Sequence, residues 1–413
     1  MEPRPWRDPS SRRVRVARAF ASLLVLAAGV AAAPLAAQQR VAPAAWSAFE
    51  RRFDALADSG GIAGGSALLV GDGRVLARHD FGLADRARGQ RVNERTIFHY
   101  GSITKTLTAI SIMQLRDRGR LSLDDKVTRY IPELRLVHDP YNAIDSITIR
   151  MLLSHSAGFQ NPTWPYGEGK PWEPFEPMTW NQLVAMMPYQ ELHFRPGTKW
   201  SYSNPAYIYL ARIIEQLTGD PWEVYVQKNI LTPLGLSRSY FGVTPYWLAA
   251  DRADSYAVYT DSAGHEVTRD FGREFDPGVT IPNGGWNAPL ADLATYSGFL
   301  TGAPAGDTAL ARHYDVILPR ATLQEMWQAV VPVTPGAIAA PGHQSMGLGF
   351  FIMDDGAPTL VGHTGSQAGF LAFIWVNPAT RMVAIAAVNT NNQLPRGKDA
   401  FPGIMRAMLP LIR

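Results

Sequence analysis

Strand-like segments lie at opposite ends of this chain, and the need to pair them is the strongest constraint on its fold. Near the N-terminus, "SALLVGDGRVLARHDFG" (66–82) reads as two strands joined at Asp72-Gly73, a dipeptide suited to a two-residue hairpin. Near the C-terminus come "LGFFIMD", "TLVGHTG", "AGFLAFIWV" and "RMVAIAAV", the last two separated by the turn-forming "NPAT". A lone hairpin is marginal in water, so one antiparallel sheet drawing on both chain ends is the simplest way to stabilise them all. "APAAWSAFERRFDALADSG" (42–60) has apolar residues at helical spacing (Trp46, Phe49, Phe53, Leu56), and "GKDAFPGIMRAMLPLI" closes the chain as a second helix. Between Ile97 and about Pro341 the pattern is mostly helical with long loops. The expected architecture is α+β. Residues 44–96 and 341–413 build a sheet lobe flanked by helices, residues 97–340 form a large, mostly helical inserted lobe, and a site lies between the two. "NPTWPYGEGKPWEPFEP" (161–177) reads as a long ordered loop or cleft wall.

Residues 1–37 carry a different pattern. "MEPRPWRDPSSRRVRVAR" is Arg-rich, "AFASLLVLAAGVAAAPLAA" is apolar, and "QQR" follows small residues, the order of a signal peptide cleaved near Ala37. An uncleaved membrane anchor is the competing reading, and Pro34 with the many alanines weakens it. Arg12-Arg13 after Ser11 hints at twin-arginine export, although Arg15 sits where an apolar residue is wanted. The leader holds six Arg and two acids, a net of +4, so the whole-chain charge of +3 becomes −1 without it (3 − 4). No basic run of the kind that binds nucleic acid then remains. The chain has no cysteine, which excludes disulfides and thiolate chemistry. The expectation is a periplasmic or secreted protein with no stable membrane span once the leader is removed.

Within the apolar run "GSITKTLTAISIMQL" (101–115), Lys105 stands where a buried helix would take Leu or Ala. The chain has 39 Lys and Arg together, of which only six are Lys, so a surface charge is normally written Arg. Arg keeps its proton in a protein, whereas a desolvated Lys can lose it. With a helix starting at Ser102, residues three apart stack, and the Lys105 amine lies beside the Ser102 hydroxyl. Burial lowers the amine's pKa, and a neutral amine can take the serine proton. This is the chain's only S-x-x-K.

Two further motifs carry suitable groups. Tyr202-Ser203-Asn204, in "FRPGTKWSYSNPAYIYLARIIEQLTG" (194–219), offers a phenol that can pass a proton and a carboxamide that can hold a substrate amide. "LVGHTGSQAGF" (360–370) places His363-Thr364-Gly365 at a strand end, where Gly lets a substrate lie close and the Ser366 N–H can serve as an oxyanion donor.

In this order, S-x-x-K, Y-x-N and H-T-G resemble the penicillin-recognising serine enzymes, in particular the class C β-lactamase branch with its DD-carboxypeptidases, D-aminopeptidases and carboxylesterases. "ITIRMLLSHSAGF" (147–159) and "LTPLGLSRSYF" (231–241) are similar to other stretches of that family, and the likeness runs from about residue 44 to the C-terminus. The resemblance implies a β-lactamase/transpeptidase-like fold with Ser102 as acylated nucleophile, Lys105 as its proton partner and Tyr202 as base or proton relay. It implies Asn204, His363, Thr364 and Gly365 as substrate contacts, and the backbone N–H groups of Ser102 and Ser366 as oxyanion hole. His363 departs from the Lys usual in class C β-lactamases. An imidazole with an ordinary pKa of about 6.5, if it faces the pocket, would favour carboxylate-bearing substrates as the pH falls.

Other chemistries lack their residues. There is no G-x-S-x-G elbow and no H-E-x-x-H or paired metal spacing, so neither metal nor cofactor is expected. His155 reads as structural, and Asp292 as a helix-start residue. The expected function is an exported serine hydrolase acting through a Ser102 acyl-enzyme on a small ester, amide or D-amino-acid peptide. The alternatives are a β-lactamase or DD-carboxypeptidase proper, and a penicillin-binding sensor domain without turnover.

Overall fold

Two adjacent residues with positive φ, Asp72 (49°) and Gly73 (72°), close the expected hairpin between β1 (Gly64–Gly71) and β2 (Arg74–Asp85). β1 then pairs antiparallel with strand Met382–Val388, Gly65 opposite Val388 and Gly71 opposite Met382, which ties the chain ends together. The computed structural model describes residues 42–159, 177–274, 276–336, 342–354 and 359–413. The leader expected over 1–37, and all but the last residue of the cleft wall expected over 161–177, lie outside the described residues.

From Met382–Val388 the sheet continues through Phe370–Val376, Leu360–Gln367, Phe351–Met353 and Gln344–Met346 to Val331–Pro332. Gln90–Arg91 flanks β2 at the other edge, which makes nine strands in all. The sheet is antiparallel throughout, as expected. Its central strands are apolar on both faces. Leu68, Val70, Ile374, Val383 and Ile385 enter one core, while Ala67, Leu69, Phe373, Trp375 and Ala384 enter the other. That second face is covered by α1 (Pro43–Gly60) through Phe49 and Phe53 and by helix Ala400–Met408 through Phe401, Ile404 and Met408. Each such side chain fully buried contributes about 1.5–3 kcal/mol.

The first face carries the inserted segment, including α2 (Thr104–Asp117) and helix Leu290–Thr301. This segment is less purely helical than its pattern suggests. It contains strands Ile97–His99, Tyr240–Phe241, Ser255–Thr260, Glu266–Gly272, Trp286–Pro289 and Val331–Pro332. Four of the six have two to four residues, too short for a period of two to register. Asp292 does sit in the first turn of its helix, where its carboxylate accepts from Arg238 N–H and the Ser239 hydroxyl. For the site, one adjacency matters most: strand Leu360–Gln367 runs against the 3₁₀ turn Gly101–Ile103 that opens α2.

Candidate active site

The first twelve of the fourteen residues of α2 are buried, including five polar ones and Lys105. The threonine hydroxyls are satisfied by main-chain carbonyls: Thr104 donates to Gly101 O (2.7 Å) and Thr106 to Ile103 O (2.8 Å) in the preceding turn, and Thr108 to the distant Pro282 O (2.6 Å). Lys105 is fully enclosed, at 0% exposure, and among the described residues no carboxylate balances it. Desolvation alone therefore holds its amine well below the ordinary lysine range. The 3₁₀ turn shifts the regular helix start to Thr104, yet the three-residue stacking survives, and Lys105 Nζ stands 2.9 Å from Ser102 Oγ.

Two other oxygens surround Nζ: Asn204 Oδ1 at 2.8 Å and the main-chain carbonyl of Asn283 at 2.8 Å. Both can only accept. A neutral amine has two hydrogens and one lone pair, so the two carbonyls take the hydrogens and the lone pair is left for the Ser102 O–H. Asn283 also donates from Nδ2 to Asn204 Oδ1 (3.3 Å), which joins the turn Ile281–Gly284 to the second motif. No sequence motif marks Asn283. Its contribution is a backbone carbonyl, which any residue supplies, brought in from 178 positions away.

Tyr202 precedes helix Asn204–Thr218, whose N-cap Ser203 accepts from Ala206 N–H. The Tyr202 phenol lies beside the Ser102 hydroxyl, and burial pushes the phenol's pKa up, so it is neutral. Lys105 Nζ lies 4.9 Å from the Tyr202 ring centroid. His155 packs on the same ring at 4.4 Å, and its neighbourhood to Tyr202 was not legible from its own motif.

Strand Leu360–Gln367 supplies the opposite wall. A Cβ on Gly365 would lie 1.9 Å from Tyr100 O, and one on Gly101 would lie 2.8 Å from Ser366 N, so the two backbones meet at the turn that bears Ser102. The Ser102 and Ser366 nitrogens both border this junction, at 3.3 Å from a Cβ on Gly365 and 2.8 Å from one on Gly101 respectively. Thr364 is half-buried, but His363 is enclosed at 1% exposure beside Phe351 (4.9 Å) and Tyr202 (6.3 Å). Its Nδ1–H donates to Thr364 O (2.6 Å), and its Nε2 is buried without a hydrogen-bond partner. Burial first and the nearby Lys105 amine second push its pKa down to about 3. A partly charged imidazole is expected only where His363 faces the pocket; the side chain is instead enclosed and neutral. Among the described residues, no group of three or more His, Cys, Asp or Glu is placed to hold a metal ion.

A half-buried serine against a desolvated lysine and a buried phenol, on a sheet drawn from both chain ends, has the architecture of the serine hydrolases that share the β-lactamase/transpeptidase-like fold. The family model described as Beta-lactamase matches residues 49–408, and the chain belongs to that family. It is 25% identical over 337 residues to Protein flp of Staphylococcus aureus, covering 81% of this chain and 61% of that protein. The chain therefore spans less than two thirds of the length of that relative. Among solved structures, the octameric penicillin-binding protein homologue from Pyrococcus abyssi superposes with a TM-score of 0.71 at 26% identity, over 89% of this chain and 77% of that one. The D-amino acid amidase from Ochrobactrum anthropi shares the fold at 20% identity, with a TM-score of 0.69 over 88% and 98%. Among the described residues, no helix is long and apolar enough to cross a membrane.

Proposed function

We propose that this protein is an exported serine hydrolase that works through a Ser102 acyl-enzyme on small ester, amide or D-amino-acid peptide substrates lacking a recognised carboxylate. The reading is carried by the surroundings of Lys105 Nζ, where two carbonyl acceptors leave the amine lone pair for Ser102. In the acylation step, Ser102 Oγ bonds to the acyl carbon as its proton passes to Lys105, and the Ser102 and Ser366 N–H groups receive the developing oxyanion. Tyr202 gives its proton to the leaving alcohol or amine, and the Lys105 ammonium then restores the phenol. In the second half, water attacks the acyl carbon, its proton is taken up by the same Tyr202–Lys105 pair, and the acid departs with Ser102 reprotonated.

The neutral, enclosed His363 supports substrates without a carboxylate over a class C β-lactamase, which usually has Lys at this point. Export rests on the basic, apolar and small-residue order of residues 1–37. One preparation assayed against p-nitrophenyl acetate, a D-amino-acid amide, nitrocefin and a D-Ala-D-Ala peptide tests the reading. Steady turnover of the ester or amide in excess of nitrocefin is expected. A single burst with every substrate would identify a penicillin-binding domain without turnover, and preferred nitrocefin hydrolysis would identify a β-lactamase.

A further inference from the structure

Tyr202 lies outside regular structure, in the segment that leads into helix Asn204–Thr218, so its placement must come from somewhere else. Both of its flanking amides point to one residue. Ser201 N–H donates to the His155 carbonyl (2.9 Å), and Ser203 N–H donates to His155 Nδ1 (3.1 Å). The imidazole also lies on the Tyr202 ring, with centroids 4.4 Å apart and planes inclined by 36°, and on the Tyr207 ring at 5.1 Å. His155 itself has φ of +57°, a left-handed conformation that His tolerates better than most non-glycine residues. It therefore offers its carbonyl and its ring to the same neighbour.

Because Nδ1 accepts, the neutral ring carries its hydrogen on Nε2, and that nitrogen is buried without a hydrogen-bond partner. A residue retained only to fill the core would not need an acceptor at Nδ1; Phe or Leu would serve. Burial, with the Lys105 amine adding to it, holds the imidazole neutral and so keeps the Nδ1 lone pair available to Ser203.

We propose that His155 is a positioning residue that fixes the backbone on both sides of Tyr202 and so sets the phenol against Ser102. The inference rests on the acyl-enzyme reading above, in which Tyr202 carries a proton. The structural element it holds is short: three residues, 201–203, gripped at both ends by one side chain and its own carbonyl.

The test measures the acylation burst with p-nitrophenyl acetate in the full-length protein, together with Tm. His155→Phe keeps a ring but loses the acceptor. The burst rate constant at saturating ester should fall about 100-fold, as for a group misplaced by an ångström, with half-saturation unchanged. His155→Asn presents Oδ1 where Nδ1 was and also tolerates the left-handed backbone, so it should keep the rate within about fivefold of wild type. A merely structural role predicts that the two variants lose activity in step with Tm. A folded His155→Phe at wild-type rate overturns the proposal, and so does a His155→Asn that is as slow as His155→Phe or unfolded. Should His155→Phe not fold, His155→Asn decides alone. Tyr202→Phe separates this inference from its premise. If Tyr202→Phe is slow and His155→Phe is fast, only the positioning role fails; if Tyr202→Phe acylates at wild-type rate, the relay reading fails and takes the positioning role with it.

Discussion

Gly365 approaches the carbonyl of Tyr100 so closely that a Cβ at position 365 would stand 1.9 Å from that oxygen and 3.3 Å from Ser102 N. Neither obstacle is a side-chain tip that can swing away; both are backbone. Gly365→Ala must therefore push strand Leu360–Gln367 away from the turn that bears Ser102. Overpacking of this kind costs about 1–3 kcal/mol, and the displaced N–H pair should slow acylation about 100-fold. Thermal unfolding and burst kinetics of the variant read both effects. An Ala at 365 that changes neither would mean the two backbones can separate without consequence.

Ser102 should be the sole covalent site. It is half-buried, while Lys105, the group that can deprotonate it, is enclosed at 0% exposure and reaches it at 2.9 Å. A fluorophosphonate probe should add one mass increment to the wild type and none to Ser102→Ala. Lys105→Arg places a permanently charged guanidinium there, which cannot accept a proton, so its labelling rate should fall about 100- to 10,000-fold, as for Lys105→Ala. An adduct surviving Ser102→Ala, or rapid labelling of Lys105→Arg, would remove these roles.

Lys105 also writes a signature into stability. Its folded-state pKa lies well below that of the unfolded chain, because burial disfavours the ammonium. Between the two values the unfolded chain binds one more proton than the native protein, so stability rises with pH across that window. Lys105→Met lacks this proton uptake. The stability of wild type relative to Lys105→Met should therefore increase by about 1.4 kcal/mol per pH unit in the window that ends near the ordinary lysine pKa. Urea titrations of both proteins over a series of alkaline pH values give the difference directly. A difference independent of pH would mean that Lys105 is charged in the folded state.

What the sequence disclosed and what it withheld divide along a physical line. Ser102 and Lys105 were legible because three residues of helix fix their spacing, and the hairpin at Asp72-Gly73 because local turn chemistry fixes it. The joining of β1 to Met382–Val388 followed from apolar segments that could not stand alone. The carbonyl of Asn283 left no trace, since a main-chain acceptor has no residue preference. His155 and His363 show the other limit: their motifs name an imidazole, but its burial depends on rings outside the motif, Tyr202 and Tyr207 about 50 positions from His155 and Phe351 on the strand beside His363.

That burial decides what His363 does with substrate charge. Its Nδ1–H is committed to Thr364 O at 2.6 Å, its Nε2 is enclosed, and its pKa is pushed down to about 3 by burial and by Lys105. A pKa lowered this far keeps the ring neutral throughout the range in which an ordinary histidine titrates, so no positive charge develops there between about pH 5 and 8. The kcat/KM profiles of nitrocefin, which bears a carboxylate, and of p-nitrophenyl acetate, which does not, should then share one shape over that range. Any inflection from Lys105 or Tyr202 belongs to the chemical step and appears in both. His363→Lys would put an ammonium where no acid faces it, so the expected result is a lower Tm, by several kcal/mol of lost stability, without a gain in β-lactam preference. His363→Gln, neutral like the native ring, should keep most of the ester activity. A rise in kcat/KM for nitrocefin alone as pH falls would show that His363 does take up a proton in reach of substrate, and would return a carboxylate-binding role to it.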